Sequence, residues 1–168
     1  MNKIISIELG IDLYYVISLS DSGIGNILCF PTDYNIDEVI EGVLLNIPIS
    51  STDDKLVYDK NGMGMMIQDT LLKKEYAHLL DIAESIEPKD FSKIVLTLVK
   101  AKDRLNDCGK NNNLVGFEYL EFKKLIDEIN NLEISINPNG IVKLVKKDRG
   151  IGNTRATCFL NGLYQMTK

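Results

Sequence analysis

Three acidic residues stand where their carboxylates could act together. Glu8 lies near the end of the first apolar run, Asp59 follows a short apolar run at 55–58, and Asp148 lies just before the last helical segment. Carboxylates that converge repel one another and raise one another's pKa unless a divalent cation neutralises them. A site of oxygen ligands alone selects Mg²⁺ or Mn²⁺ over zinc. These residues therefore predict a metal site, provided that the fold brings them together.

The elements that would position these acids begin with three strands. The runs 4–9, 13–19 and 26–31 are rich in β-branched and aromatic residues, and turn-forming segments at 10–12 and 21–25 separate them. Such short connections favour hairpins. The opening of the chain therefore predicts an antiparallel meander of three strands.

The rest of the chain predicts helices and strands in alternation. Residues 36–45 carry apolar side chains at helical spacing, with Asn35 or Thr32 as the cap. The later pattern predicts strands at 55–58 and 93–99, helices at 65–74 and 118–131, a polar loop at 103–116, extended segments at 132–136 and 141–145, and a closing helix from about Asn153. This order predicts an α/β fold, in which a mixed sheet of about five strands, a three-strand antiparallel meander plus parallel strands, has helices on both faces. The first and fourth strands are commonly neighbours in such a sheet, so Glu8 and Asp59 are expected to converge.

Composition limits the class of protein. The chain has 168 residues, of which 45% are hydrophobic and 26% charged, and we expect a single domain over 1–168. No apolar run approaches the roughly 20 residues of a membrane span, and the first residues do not have the shape of a signal peptide, so we expect a cytoplasmic protein without a membrane partner. The net charge of −5 argues against non-specific binding to nucleic acid. Residues 143–155 nevertheless carry five basic side chains against one acid, which predicts a local positive face.

Four segments resemble the nuclease domain of phage terminase large subunits, a member of the ribonuclease H-like superfamily. "VYDKNGMGMMIQDTLLKK" (57–74) is similar to the segment in which a strand-ending acid is followed by Asn-Gly-x-Gly and a helix. Residues 5–21 resemble the opening hairpin of that domain, 94–106 its fifth strand and the basic connection after it, and 140–164 its closing segment. Together they cover a little under half of the chain in the expected order.

The resemblance implies a metal-dependent endonuclease that cuts double-stranded DNA, as the terminase nuclease cuts concatemeric viral DNA during genome packaging. Two Mg²⁺ or Mn²⁺ ions would be held by Glu8, Asp59 and Asp148, with Asp59 as the bridging or central ligand. Asp12 could contribute instead of Glu8 or beside it. The implied DNA contacts are Lys60, Lys146, Lys147, Arg149 and Arg155. A packaging ATPase, a small terminase subunit and a portal are the implied protein partners, and the host cytoplasm is the implied location if the protein is viral.

Two departures and two rival interpretations accompany this resemblance. The chain has Glu8 where the family usually has Asp, and it has no Gly-x-x-x-x-Gly-Lys-Ser/Thr phosphate loop, so we expect an isolated or separately encoded nuclease domain. A Holliday-junction resolvase of the same superfamily is the nearer rival, although Asp59 followed by Asn-Gly-x-Gly favours the terminase interpretation. The farther rival is a degenerate ribonuclease H-like module that serves as an interaction platform without catalysis.

Overall fold

A central sheet of five strands organises the structure, a computed structural model that describes residues 2–50, 52–111 and 114–168, with the side chains of 108–111 left out. The strands are β1 (Ile4–Leu9), β2 (Tyr14–Ser20), β3 (Gly23–Phe30), β4 (Lys55–Asp59) and β5 (Ala83–Ile86), and their order in the sheet is β3-β2-β1-β4-β5. The first three strands are antiparallel, whereas β4 and β5 run parallel to β1. The predicted mixed sheet, with its meander and parallel strands, is therefore confirmed.

Helices cover both faces of this sheet. They are α1 (Ile36–Asn46), α2 (Met65–Leu71), α3 (Ala77–Leu80), α4 (Phe91–Leu96), α5 (Leu98–Asn111), α6 (Phe117–Asn130) and α7 (Thr154–Thr167). The alternating side chains of β1 enter two separate cores: Ile5 and Ile7 pack toward α1, α2 and α3, while Ile4 packs toward the helices from α4 to α7. Ser6 points to the second side, where its Oγ donates a hydrogen bond to the carbonyl of Cys158 at 2.8 Å. None of the helices in the described part of the chain has the length and apolarity that a membrane crossing requires.

Local sequence signals explain where several elements begin. Asn35 caps α1, because its side chain accepts from the Glu38 N–H while the Glu38 side chain accepts from the Asn35 N–H, which is a complete capping box. The segments β6 (Leu132–Ile136) and β7 (Val142–Lys146) pair as a hairpin that forms its own two-stranded sheet. This hairpin leads directly into the loop that carries Asp148, so it connects α6 to the start of α7.

Two sequence expectations are wrong. Residues 93–99 form the end of α4 and the start of α5 instead of a strand, and the fifth strand is Ala83–Ile86. Ile94, Val95 and Leu98 are buried while Leu96 and Val99 are exposed, which is helical spacing inside a run that reads as continuously apolar. The predicted loop 103–116 is helical up to residue 111, and its residues 112–113 lie outside the described part of the chain.

Candidate metal and nucleic-acid site

The structure places Glu8 and Asp59 side by side. Strands β1 and β4 are parallel neighbours, with Ile7 opposite Tyr58, so the next residue of each strand lies at the same carboxyl edge of the sheet. Ligands of open α/β sheets bind at this edge, where the strands end. The convergence expected from the order of the elements is therefore present for these two carboxylates.

Glu8 has an environment that does not suit an ordinary carboxylate. Its Oε2 atom is buried and accepts no hydrogen bond from the part of the chain that the structure describes. Burial, and then the nearby charge of Asp59, raise the pKa of Glu8 to about 7. A buried anion without a donor is costly unless it is protonated or paired with a cation. This orphaned oxygen beside a second carboxylate fits a divalent cation that prefers oxygen ligands.

The turn after Asp59 explains the two glycines of the Asn-Gly-x-Gly segment. Asp59 Oδ1 accepts hydrogen bonds from the backbone N–H of Asn61 at 2.9 Å and from its Nδ2 at 2.7 Å. Gly62 has a φ of 60°, which L side chains rarely adopt, and a Cβ on Gly64 would overlap the main-chain carbonyl oxygen of Asp59. Both glycines are required by the backbone, and they fix the direction in which Asp59 leaves β4.

A cavity of about 480 Å³ opens beside Glu8. Its acidic lining residues are Glu8 and Asp12, and its basic lining residues are Lys146 and Arg149. Three glycines also line it, at positions 10, 150 and 152. The N-terminus of α7 closes one side through Thr154. This cavity brings carboxylates and basic side chains into one place, and such a combination can bind both a metal ion and a phosphate group.

Asp148 lies in the loop next to this cavity but does not line it. Asn131, which is buried at the end of α6, accepts from the Asp148 N–H at 2.8 Å and donates to the Asp148 carbonyl at 2.9 Å. The Asp148 side chain turns back on its own loop, where Oδ1 accepts from the Gly150 N–H at 2.9 Å. Backbone hydrogen bonds thus hold the exposed Asp148 in place. Its hydrogen bonds are made to Asn131 and Gly150, and not to Glu8 or Asp59.

The predicted DNA-binding residues fall into three different situations. Lys146 and Arg149 line the cavity. Lys60 forms a salt bridge with Glu87 at 2.9 Å, and Lys147 lies 3.9 Å from Glu133. Both of these pairs are partly exposed, so each lysine keeps part of its surface in solvent.

Arg155 lies inside the protein, where it cannot reach a DNA backbone from the position that the structure gives it. Its Nε donates to Glu121 at 2.6 Å and its Nη1 donates to Glu128 at 2.7 Å, and the three side chains are nearly buried. Glu128 also accepts from the N–H groups of Arg155 and Ala156, which caps the first turn of α7. This ion triad fastens α7 to α6 and was not recognised from the sequence, because its acids lie 27 and 34 residues away along the chain.

The described residues contain no group of three or more His, Cys, Asp or Glu side chains arranged to hold a metal ion. The contacts instead define the pair Glu8 and Asp59, with Asp12 across the cavity and Asp148 in the adjoining loop. A cation bound to the pair would have to draw its remaining ligands from these neighbours, from water or from a substrate phosphate.

The comparisons with sequences find no relative. No protein-family model matches the chain, and no curated protein is similar to it in sequence.

Solved structures, in contrast, share its fold over almost the whole chain. The magnesium-bound large terminase nuclease of the thermophilic phage G20c has a TM-score of 0.60 and 17% identity, with 97% of this chain and 80% of that chain covered. The cobalt-bound form of the same nuclease has a TM-score of 0.59 with the same identity and coverage. The manganese-bound nuclease domain of the large terminase subunit gp2 of bacterial virus Sf6, a single-residue variant, has a TM-score of 0.59 and 12% identity, with 99% and 88% covered.

These matches confirm the resemblance at the level of the fold. The chain has the ribonuclease H-like fold that large terminase nuclease domains share, with its antiparallel meander, its parallel strands and its closing helix. Several of those neighbouring structures contain divalent metals, namely magnesium, cobalt and manganese.

Proposed function

We propose that this chain is a divalent-metal-dependent endonuclease that cuts double-stranded DNA. The observation that supports this most is the pair of carboxylates at the ends of β1 and β4, where Glu8 has a buried oxygen without a donor. Two anions held together in a nuclease fold, beside a cavity with Lys146 and Arg149, suit the binding of cations and phosphate.

Each residue has a distinct part in the proposed reaction. Glu8 and Asp59 hold the metal, and Asp12 and Asp148 are the candidates for its further carboxylate ligands. The chemistry that Mg²⁺ or Mn²⁺ supplies when bound is activation of a water molecule and stabilisation of the leaving oxygen, in a site for one or two ions. Lys146 and Arg149 bind the phosphates on either side of the cut and orient the strand, and Lys60 and Lys147 extend that positive face.

The biological setting is proposed by analogy with the neighbouring terminases. The chain would cut concatemeric viral DNA during genome packaging, in the cytoplasm of the host cell. Its partners would be a packaging ATPase, a small terminase subunit and a portal. The chain itself carries no phosphate loop in its sequence, so the ATPase would belong to a different polypeptide or polypeptide segment.

Cleavage of linear duplex DNA in Mn²⁺ tests the proposal. We expect the unaltered chain to cut, and Asp59→Asn to lower the cleavage rate by more than about 100-fold, because even residues that only support metal ligands cost about 10–100-fold. Asp127→Asn is the matched control, since Asp127 is an exposed residue on α6 away from the pair. Mn²⁺ should also raise the melting temperature of the unaltered chain and of Asp127→Asn, but not that of Asp59→Asn.

The same assay separates the rival functions. Strong preference for a four-way junction over linear duplex would favour the resolvase. Equal, negligible cleavage by the unaltered chain and by Asp59→Asn, with no thermal shift in Mn²⁺, would contradict nuclease activity and favour the non-catalytic module.

A further inference from the structure

We propose that Thr154 is a positioning residue that aims the carboxylate of Asp12 at the metal, and that Asp12 is therefore the ligand that joins Glu8 in the cavity. This inference rests on the proposed function of the site. It adds a residue that does not itself touch metal or DNA, and it decides between Asp12 and Asp148.

The hydrogen bonds of Asp12 leave one oxygen available. The Thr154 hydroxyl donates to Asp12 Oδ1 at 2.7 Å, and the Leu13 N–H donates to the same atom at 3.1 Å. No donor of the described residues reaches Oδ2 by a hydrogen bond. A Cβ on Gly152 would lie 3.0 Å from Oδ2, so the glycine at that position keeps the approach to this oxygen clear. One carboxylate oxygen is thus held and the other is presented.

The threonine is fixed relative to the strand that carries Glu8. Thr154 is the first residue of α7 and is 7% exposed. A Cβ on Gly10 would collide with both branches of the Thr154 side chain, which shows how closely the β1–β2 turn packs on this residue. Further along α7, the Ser6 hydroxyl donates to the Cys158 carbonyl at 2.8 Å, and the Cys158 thiol donates to the Ser6 carbonyl at 3.1 Å. These contacts fix the position of α7 relative to β1, and a positioning residue needs such a rigid support.

Asp12 and Asp148 differ in their position relative to the cavity and in the hydrogen bonds that their carboxylates accept. Asp12 lines the cavity together with Glu8, and a buried hydroxyl from another element orients it. Asp148, like Asp59, does not line the cavity, and its Oδ1 is bonded within its own loop to Gly150. Asp59 is nevertheless placed beside Glu8 by the pairing of β4 with β1, whereas no hydrogen bond from another element of the described residues orients the Asp148 side chain. A supporting hydrogen bond that fixes the orientation of a ligand is the arrangement seen around metal ligands generally. The geometry therefore favours Asp12.

The test compares two substitutions that separate the hydroxyl from the shape of the side chain. Thr154→Val keeps the volume and removes the donor, whereas Thr154→Ser keeps the donor. Thr70→Val is the control, because Thr70 is 8% exposed and its hydroxyl donates to a helix carbonyl, that of Met66, at 2.8 Å. The first readout is Mn²⁺ binding without DNA, followed by the electron paramagnetic resonance signal of the free ion. The second is the Mn²⁺ concentration that gives half-maximal cleavage.

We expect Thr154→Val to weaken Mn²⁺ binding by about 10–100-fold, the range found for residues that support metal ligands. Thr154→Ser should stay within about 3-fold of the unaltered chain, since it retains the bond to Asp12. Thr70→Val should bind Mn²⁺ as the unaltered chain does. Asp12→Asn should bind at least as weakly as Thr154→Val, and this variant gives an independent answer if the valine perturbs folding.

Three results would overturn the inference. Thr154→Val could bind Mn²⁺ as tightly as the unaltered chain, Thr154→Ser could be as weak as Thr154→Val, or Asp148→Asn could weaken binding where Asp12→Asn does not. In each case the unaltered chain still binds Mn²⁺ and cuts DNA, so the proposed function stands. Failure of the unaltered chain to bind Mn²⁺ would instead overturn the proposed function, and the role of Thr154 with it.

Discussion

The described residues include two pairs of neighbouring acidic side chains in which at least one carboxylate is buried, and the fold treats the two pairs differently. Glu121 and Glu128 are both bonded by the guanidinium of Arg155, at 2.6 and 2.7 Å. Glu8 and Asp59 lie on neighbouring strands, and none of the described residues donates a hydrogen bond to Glu8 Oε2. The first pair has cationic partners within the chain, namely Arg155 and, for Glu121, also Lys124. No salt bridge of the described residues involves Glu8 or Asp59, and this difference supports their proposed role as metal ligands.

The pKa directions express the same contrast between Glu121 and Glu8, whereas burial keeps the pKa of Glu128 raised in spite of its hydrogen bonds from Arg155 and the backbone. Burial acts to raise the pKa of Glu121, but hydrogen bonds from Arg155 and Lys124 lower it overall. Burial acts to lower the pKa of Arg155, yet its bonds to Glu121 and Glu128 raise it. For Glu8, burial and the charge of Asp59 act in the same direction, and the pKa rises to about 7. Compensation inside the fold stabilises a buried charge, and its absence destabilises one.

The largest effect on stability is expected from removing Arg155, whose guanidinium is bonded to both Glu121 and Glu128. Arg155→Ala would remove the guanidinium from two buried carboxylates, leaving Glu121 with Lys124 and Glu128 with the backbone N–H groups of residues 155 and 156, so we expect the free energy of unfolding to fall by about 3–5 kcal/mol. Urea unfolding at pH 7 measures this. The exposed Arg149→Ala serves as control and should change stability by less than about 0.5 kcal/mol.

A loss below about 1 kcal/mol in Arg155→Ala would break the comparison. It would mean that Glu121 and Glu128 are solvated or protonated at little cost. The two acidic pairs would then not differ in how strongly the fold depends on their neutralisation.

A smaller effect on stability, one that depends on pH, is expected from substituting Glu8 in the second pair. The folded pKa of Glu8, about 7, is raised above its ordinary value of 4.5, so the folded state holds the proton more tightly than the unfolded chain does. Stability contributed by this proton is present below pH 4.5 and is lost as the pH rises through 7. Glutamine does not titrate, so Glu8→Gln should remove about 2.5 kcal/mol of the stability difference between pH 5 and pH 8.

Urea unfolding in the presence of EDTA at both pH values checks this prediction. The unaltered chain should lose more stability than Glu8→Gln on going to pH 8, and Mn²⁺ should restore stability to the unaltered chain alone. Parallel pH profiles for the two proteins would show that Glu8 is already compensated in the fold.

The smallest effect is expected in DNA binding, from two lysines in different surroundings. Lys60 is bonded to Glu87, whereas Lys146 lines the cavity. We expect Lys146→Ala to reduce the slope of log Kd against log salt for duplex DNA by about 1, the change for one lost phosphate contact. Lys60→Ala should change the slope less, because Glu87 already occupies its ammonium group. Fluorescence anisotropy between low and moderate salt measures both, and equal slopes for the two variants would contradict the distinction.

The sequence predicts the part of the site that depends on strand ends. Apolar runs closed by an acid predict where Glu8 and Asp59 stand, and the order of the elements predicts that their strands are neighbours. The structure confirms that β1 and β4 are neighbours, and it adds their parallel register, in which Ile7 lies opposite Tyr58. The Asn-Gly-x-Gly segment likewise predicts a tight strand-to-helix junction, which the backbone of Gly62 and Gly64 explains.

What the sequence fails to predict depends on distant packing. The run at 93–99 looks like a buried strand because β-branched and leucine side chains are adjacent, and only the burial of one helical stripe reveals two helices. Arg155 looks like part of a basic surface until Glu121 and Glu128 are known to lie beside it. Thr154 carries no signal at all, since its partner Asp12 is 142 residues away. Local pattern cannot specify such pairs.

The packing of α7 on β1 means that the cavity is built from residues made early and late in synthesis. Glu8 and Asp12 emerge early from the ribosome, but Lys146, Arg149 and Thr154 follow more than 130 residues later. If the chain is synthesised at roughly 5–20 residues per second, several seconds or longer pass between the synthesis of Asp12 and that of Thr154. The carboxylates of Glu8 and Asp12 are therefore made several seconds before the residues of α7 that pack against them.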